Sequence, residues 1–224
     1  AGLHMHMGTN LRDLDAYQSA VTEFLEFAAR VRGDASNEFY LDFGGGLPSS
    51  GAEFKGDNRR LPELRETLDI VASELKRYPG LATRVIFEPG RQLVDNAVTL
   101  LTCASRLVEN KIIADAGKNL LPSIAVRDHS ISNASNPDGP IDSYDIFGPL
   151  CMGSDCFGND QFLANVREGD VLAVSNAGAY SVSQGMNFIK LAPPWVILEE
   201  DGKVNQLRKR QTLESLFQDD VDFL

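Results

Sequence analysis

Residues 39–48 read Phe-Tyr-Leu-Asp-Phe-Gly-Gly-Gly-Leu-Pro, a short apolar run broken off by three glycines and a proline. Such a run is a buried strand that spills into a loop. Three successive residues without Cβ atoms can turn their N–H groups toward one point, and a loop of this kind at the carboxyl end of a barrel strand can cradle a phosphate. Glycines after a strand also serve plain turns, where they supply positive φ and nothing more. The flanking stretches decide between the two.

A helix precedes this strand, capped by Thr9 or Asn10, with Tyr17, Val21, Phe24, Ala28 and Val31 on one stripe and Gly33 as its stop. A second helix is expected over Leu61 to Arg77, where Leu64, Leu68, Val71 and Leu75 recur at helical spacing and Pro79-Gly80 ends the run. It feeds Arg84-Val85-Ile86-Phe87-Glu88-Pro89-Gly90-Arg91, again an apolar strand ending in charges and turn formers. Strand–helix–strand alternation with chemistry at carboxyl strand ends is the grammar of a (β/α) barrel. The plain alternative for Glu88 and Arg91 is a surface ion pair, which contributes little. The opening residues Ala1 to Asn10 alternate like a strand end, placing His4 and His6 on one face. No metal is expected there, because the remaining histidine is His129 and no nearby carboxylate completes a site. The spacing suits a strand terminus with one packed and one exposed imidazole.

After Arg91 the pattern changes. Asn96 to Ile113 is β-rich (Val98, Leu100, Leu101, Val108, Ile112, Ile113). Turn-forming stretches rich in Pro, Asn and Asp follow, then strand-like runs at Asp170 to Tyr180 and Trp195 to Glu199. No comparable amphipathic helix appears before Gln211 to Phe217. The reading is therefore α/β plus all-β, with residues 1–95 as part of a barrel and residues 96–224 as a β-domain. Composition agrees: 224 residues at 43% hydrophobic and 24% charged suit one large or two modest globular domains. The 21 Lys+Arg against 32 Asp+Glu give a net charge of −11, which argues against nucleic acid or an anionic membrane as partner yet leaves room for a local phosphate site. Cys103, Cys151 and Cys156 form no disulfide or zinc spacing, so a reducing compartment is expected. With no membrane-length apolar run and no leader at the start, the cytoplasm is the expected location.

Five stretches now stand together: Gly2-Leu3-His4-Met5-His6-Met7-Gly8-Thr9, Leu41-Asp42-Phe43-Gly44-Gly45-Gly46, Glu88-Pro89-Gly90-Arg91, Gly148-Pro149-Leu150-Cys151-Met152-Gly153-Ser154-Asp155, and Ala177-Gly178-Ala179-Tyr180. In order, spacing and content they resemble the pyridoxal-phosphate decarboxylases of the alanine-racemase-like fold, the group of the diaminopimelate, ornithine and arginine decarboxylases. The resemblance runs over essentially the whole chain and implies a (β/α)8 barrel followed by a β-domain, in a head-to-tail homodimer. It implies that His6 stacks on the pyridine ring and that Thr9, Gly44, Gly45, Gly46, Arg91 and Tyr180 bind the phosphate. Glu88 would face the pyridine nitrogen and keep it protonated. Cys151 would project into the partner subunit's site and return a proton to the α-carbon, with Asp155 and Met152 at the substrate.

Two departures from the group's pattern bear on function. The lysine that anchors the cofactor belongs to an early barrel strand upstream of the histidine motif. Lys55, Lys76, Lys111, Lys118, Lys190, Lys203 and Lys209 match no such motif, and roughly three of the eight strands of a closed barrel are countable. The chain is therefore expected to be the carboxyl-terminal part of a longer enzyme. Diaminopimelate decarboxylases also carry an acidic residue directly after the cysteine and an Arg-Pro-x-Leu-Tyr segment upstream. Here Met152 and Leu121-Pro122-Ser123-Ile124-Ala125 stand in those places. A charged substrate end left unpaired in a pocket is costly. A less polar amino acid, a modified intermediate or a carrier-bound aminoacyl group is the expected substrate. The competing reading is a non-catalytic homologue or regulatory partner that keeps the fold and lacks the lysine.

Overall fold

The computed structural model describes residues 1–33, 38–49, 53–54, 60–189 and 196–218. Lys55, Lys190 and Trp195 lie outside the described residues. In chain order the elements are β1 (Gly2–His4), α1 (Leu14–Arg32), β2 (Tyr40–Asp42), β3 (Glu53–Phe54), α2 (Leu64–Leu75), β4 (Arg84–Ile86), α3 (Gly90–Val94), β5 (Leu100–Val108) and β6 (Lys111–Ala114). They continue with β7 (Arg127–Asp128), β8 (Ile131–Asn133), β9 (Ile141–Phe147), β10 (Cys156–Ala164), β11 (Val171–Val174), β12 (Val196–Glu200), β13 (Lys203–Arg208) and α4 (Leu213–Leu216). The described residues form two compact units, one of Ala1–Leu101, Val126–Ser132 and Leu172–Ala179, the other of Thr102–Ala125, Asn133–Val171 and Tyr180–Leu224.

In the first unit β2 runs between β1 and β4, parallel to both, with Leu41 paired to Leu3 on one side and Val85 on the other. Parallel neighbours require crossovers, and α1 and α2 supply them. They pack together over a core of Tyr17, Val21, Leu25, Ala28, Phe39, Leu41, Phe43, Val71 and Leu81. Three details differ from the sequence reading. The cap of α1 is Asp13, whose carboxylate accepts from Ala16 N at 2.9 Å, rather than Thr9 or Asn10. Those residues are committed to a turn instead, with Asn10 at φ 56°. Val31 is exposed and Leu25 takes its place on the buried stripe. The second helix begins at Leu64, where a capping box of Glu63 and Glu66 replaces the expected start at Leu61.

In the second unit β10 pairs antiparallel with β9, β9 runs parallel to β6, and β6 closes an antiparallel hairpin with β5. Strands β9 and β10 fall where the sequence reads as turns. Register shifts between Cys156 and Gly158 and between Gly158 and Gln161 break the two-residue alternation of β10, and Asp142 and Asp145 on β9 and Asp160 on β10 dilute the apolar signal of the two strands.

A buried ion pair sits in the first unit. Asp95 is 0% and Arg127 1% exposed, and they meet fork to fork at 2.6 and 2.8 Å. Arg127 also donates to the Asn176 carbonyl, and the Ser49 hydroxyl donates to Asp95. Burial alone would raise the Asp95 carboxyl, but the hydrogen bonds from Arg127 and Ser49 and the charges of Arg127 and Arg91 outweigh it and hold it below the usual range. Beside the pair lies His129, 5% exposed, whose Nδ1–H donates to the Ser175 carbonyl at 2.8 Å. Burial pushes its imidazole down to about 4. The Ser175 bond and the Asp95 charge oppose that shift, and the cations Arg127 and Arg91 add to it.

A folded-state value of about 4 against 6.5 means that the unfolded chain binds the proton first as pH falls. The stability His129 contributes is fully present above pH 6.5 and drains away toward pH 4. Between pH 6.5 and 5 the protein should lose about 2 kcal/mol of unfolding free energy to this group. Urea titrations of wild type and His129→Gln at both pH values check it: a slope as steep in the variant would remove His129 as its source.

Candidate functional site

Three loops leave the carboxyl ends of the three parallel strands: Met5 to Leu11 after β1, Phe43 to Ser49 after β2, and Phe87 to Pro89 after β4. Backbone bonds stitch them together, with Leu11 N donating to Gly46 O at 2.8 Å and Glu88 N to Gly44 O at 2.9 Å. The glycines stand where the neighbouring loops press in. A Cβ at Gly44 would strike the Met5 carbonyl and lie 3.1 Å from His6 Nδ1, one at Gly45 would strike the Glu88 carbonyl, and one at Gly46 would strike the Gly8 carbonyl, with Thr9 Cα 3.6 Å away. Gly44 and Gly46 also need positive φ, at 64° and 78°. His6, Thr9, Gly44, Gly45, Gly46 and Glu88 thus gather at one end of one sheet. The Gly44 N–H is engaged by its own strand's Asp42 at 2.9 Å, while those of Gly45 and Gly46 make no hydrogen bond to another described residue.

Glu88 is more than half exposed, and its Oε2 lies 3.5 Å from His4 Nε2. Asp42 joins them, the ligand atoms of all three lying within 4.8 Å of one another. This corrects the sequence reading, which found no carboxylate near the amino-terminal histidines: the fold delivers two, from the neighbouring strands. Both imidazoles are exposed, rather than one packed, and their rings stack at 6.4 Å. Glu88 and Arg91 do not form the local ion pair that their spacing allows. Arg91, 12% exposed, turns inward instead and sets Nη1 3.7 Å from Asp95 Oδ1.

Cys151, Met152, Asp155 and Tyr180 belong to the second unit. Cys151 is exposed and Met152 half-buried, on a turn built around Asp155, which is 2% exposed. One carboxylate oxygen of Asp155 accepts from Lys118 N at 2.6 Å and the other from Leu150 N at 2.7 Å, so both are occupied by backbone. A Cβ on Gly117 or Gly148 would collide with that carboxylate. Asp155 therefore shapes the turn that presents Cys151. Leu121 and Ile124 are wholly buried and serve packing. Tyr180 is exposed at φ 67°, its carbonyl accepting from Gln184 N. Asp42, Asp95 and Arg127 escaped sequence reading as site residues. The four-residue spacing of Arg91 and Asp95 was the available signal for one of them.

The donor set is of two kinds. Glu88, Asp42 and His4 offer carboxylates and an imidazole. The Gly45 and Gly46 N–H groups, the Thr9 hydroxyl and Arg91 offer neutral donors and one cation, the chemistry that binds a phosphate without much net charge. A ligand with a basic aromatic nitrogen and a phosphate fits such a set, and pyridoxal phosphate has both.

Comparison with known proteins gives the same direction. Residues 1–95 match the family model described as pyridoxal-dependent decarboxylase, pyridoxal binding domain, and residues 81–178 match pyridoxal-dependent decarboxylase, C-terminal sheet domain. The chain is 33% identical over 225 residues to a diaminopimelate decarboxylase of Methanothermobacter thermautotrophicus, covering 96% of this chain and 52% of that one. It is 29% identical to the enzyme of Aquifex aeolicus, with 99% and 52% covered. Among solved structures it resembles diaminopimelate decarboxylase from M. jannaschii at TM-score 0.87 and 28% identity, over 99% of this chain and 52% of that one. It also resembles a point mutant of the Helicobacter pylori diaminopimelate decarboxylase complexed with L-lysine at 0.85 and 27%, over 97% and 54%. The chain spans about half the length of the curated relatives it matches.

The glycine loop yields a stability test. Gly46→Ala meets both a positive φ and the Gly8 carbonyl, so it should cost about 2 kcal/mol or more, the left-handed penalty being about 1–2 kcal/mol by itself. Gly90→Ala, with nothing near its Cβ, should stay within about 0.5 kcal/mol of wild type. Equal urea midpoints for the two variants would show that the loop does not depend on the close approach.

Proposed function

The chain belongs to the pyridoxal-dependent decarboxylases of the ornithine, diaminopimelate and arginine group, and from that premise we propose that it is the carboxyl-terminal part of an active decarboxylase of an amino acid or aminoacyl intermediate. The observation that carries the reading is the gathering of Glu88, His6, Thr9 and the three glycines at the carboxyl ends of three adjacent parallel strands. Bound there, pyridoxal phosphate supplies an electron sink for the pair left behind when the substrate carboxylate departs as CO₂. Glu88 holds the proton on the pyridine nitrogen. His6 covers a ring face, and Thr9, Gly45, Gly46, Arg91 and Tyr180 hold the phosphate, with Gly44 shaping the loop. The exposed Cys151 thiol serves the partner subunit of a homodimer and returns a proton to the substrate α-carbon. The anchoring lysine and the remaining strands of the barrel come from outside this chain.

Substrate choice follows from what the second unit lacks. Met152 brings no charge, and Leu121 and Ile124 are packing residues, so the distal end of the substrate meets little here to pair with a formal charge. This favours a less polar amino acid or a carrier-bound aminoacyl group over diaminopimelate. The non-catalytic alternative is not favoured, since a chain without chemistry has no need of a carboxylate, an arginine, an imidazole and a thiol at these places together.

In the full-length protein Glu88→Gln and Arg91→Ala should fail differently. The first should lower kcat by orders of magnitude with cofactor affinity changed less; the second should weaken cofactor binding by roughly 1.5–3 kcal/mol, the value of a hydrogen bond to a charged group. Cofactor titrations with turnover at saturation separate them, and turnover retained by Glu88→Gln in excess cofactor would remove Glu88 from the ring nitrogen.

Mixing inactive Cys151→Ala subunits with inactive subunits lacking the anchoring lysine should restore about a quarter of wild-type activity, because half the dimers are mixed and each has one intact site of two. No recovery from verified heterodimers would place the thiol outside the partner's site.

A further inference from the structure

The groups assigned to the phosphate lie on separate stretches of chain, and one buried carboxylate touches three of those stretches: the glycine loop, the Arg91 helix and the segment before Tyr180. Asp95 accepts from the hydroxyl of Ser49, on the loop that begins with the glycines. It lies 3.7 Å from Arg91 Nη1. It also accepts from the N–H of Ala179, the residue before Tyr180, at 3.3 Å, and its own carbonyl accepts from Gly178 N at 2.9 Å. Gly178 fits so closely that a Cβ there would strike the Val94 carbonyl. Arg127 completes the arrangement with two bonds to Asp95 and one to the Asn176 carbonyl.

We propose that Asp95 is a positioning residue for the phosphate end of the cofactor site, fixing Arg91, the glycine loop and the backbone before Tyr180 in one arrangement. The inference rests on the phosphate role given above to those residues. The geometry supports it. Asp95 meets Arg127 fork to fork and, from the same carboxylate, lies 3.7 Å from Arg91 Nη1, so the direction of the Arg91 guanidinium is set by a group that is itself fixed on two sides. His129, the other titratable group against the pair, is neutral at physiological pH and adds no charge. Stability alone would not call for this pair, since apolar residues of similar volume commonly replace a buried ion pair at no loss. What apolar residues cannot do is aim a guanidinium and an amide.

The test uses the full-length protein and three probes: pyridoxal phosphate, pyridoxal without its phosphate, and inorganic phosphate. Asp95→Asn leaves Arg127 buried without its counter-charge and can fail to fold, so the decisive variant is the double Asp95→Leu with Arg127→Met, with thermal melting to establish its folded state. The expected result is a folded double variant whose affinity for inorganic phosphate and for pyridoxal phosphate falls at least tenfold while that for pyridoxal is unchanged. Phosphate affinity within twofold of wild type would overturn the positioning role and leave the phosphate site standing. A wild type that binds pyridoxal phosphate no more tightly than pyridoxal would instead sink the phosphate site itself, and the inference with it. A double variant that does not fold while Asp95→Asn folds and keeps its phosphate preference would also overturn it.

Discussion

The first unit depends on a carboxylate and a guanidinium withdrawn from water. Asp95 and Arg127 are desolvated almost completely, and that cost is recovered only because nearly every polar atom of the pair has a well-placed partner. Removing one member would leave a buried charge uncompensated, at about 3–5 kcal/mol. The pair reaches α3, the loop after β2, strand β7 and the segment before Tyr180. Stretches far apart in sequence are therefore held by one interaction whose geometry tolerates little displacement. Apolar packing is not directional in this way. The core of α1, α2 and β2 fixes where the sheet is, and the ion pair fixes how the segments beyond the strand ends are oriented.

Glycine does the complementary work on the opposite side of the loop. Each of Gly44, Gly45 and Gly46 faces a carbonyl or a side chain of an adjacent loop at a distance that excludes a Cβ. Three loops can then share a space that ordinary residues would hold open. Close approach brings His4, Asp42 and Glu88 to one another, although they come from β1, from β2 and from the loop after β4.

Much of this was legible in the sequence because it is written in short-range patterns. The strand that ends in Phe43-Gly44-Gly45-Gly46, the stripe of α1 and the Glu88-Pro89-Gly90-Arg91 turn all announce themselves within ten residues. What escaped depends on long-range pairing. Arg127 carries no local sign that it is buried, since arginine in a polar stretch ordinarily snorkels to water. Asp155 stands beside a cysteine in a motif and reads as a site residue, yet its two oxygens are spent on the N–H groups of Lys118 and Leu150, one of them on a distant segment. Strands β9 and β10 were hidden by bulges that upset alternation. The cap of α1 moved from Thr9 or Asn10 to Asp13 because the earlier residues are needed against Gly46.

The proposed site draws on donors of two kinds, which reconciles a phosphate ligand with a chain of net charge −11. The carboxylates of Asp42 and Glu88 lie near the His4 imidazole. The Gly45 and Gly46 N–H groups, which make no hydrogen bond to another described residue, carry no formal charge, and Arg91 lies 3.7 Å from a carboxylate that also pairs with Arg127. A surface excess of acid is screened by solvent within roughly 10 Å at ordinary ionic strength. Arg91, at 12% exposure, is screened far less. On the proposed assignment, a ligand carrying a phosphate and a basic ring nitrogen would be oriented by these groups, phosphate toward Arg91 and nitrogen toward Glu88, before any contact specific to its ring is made.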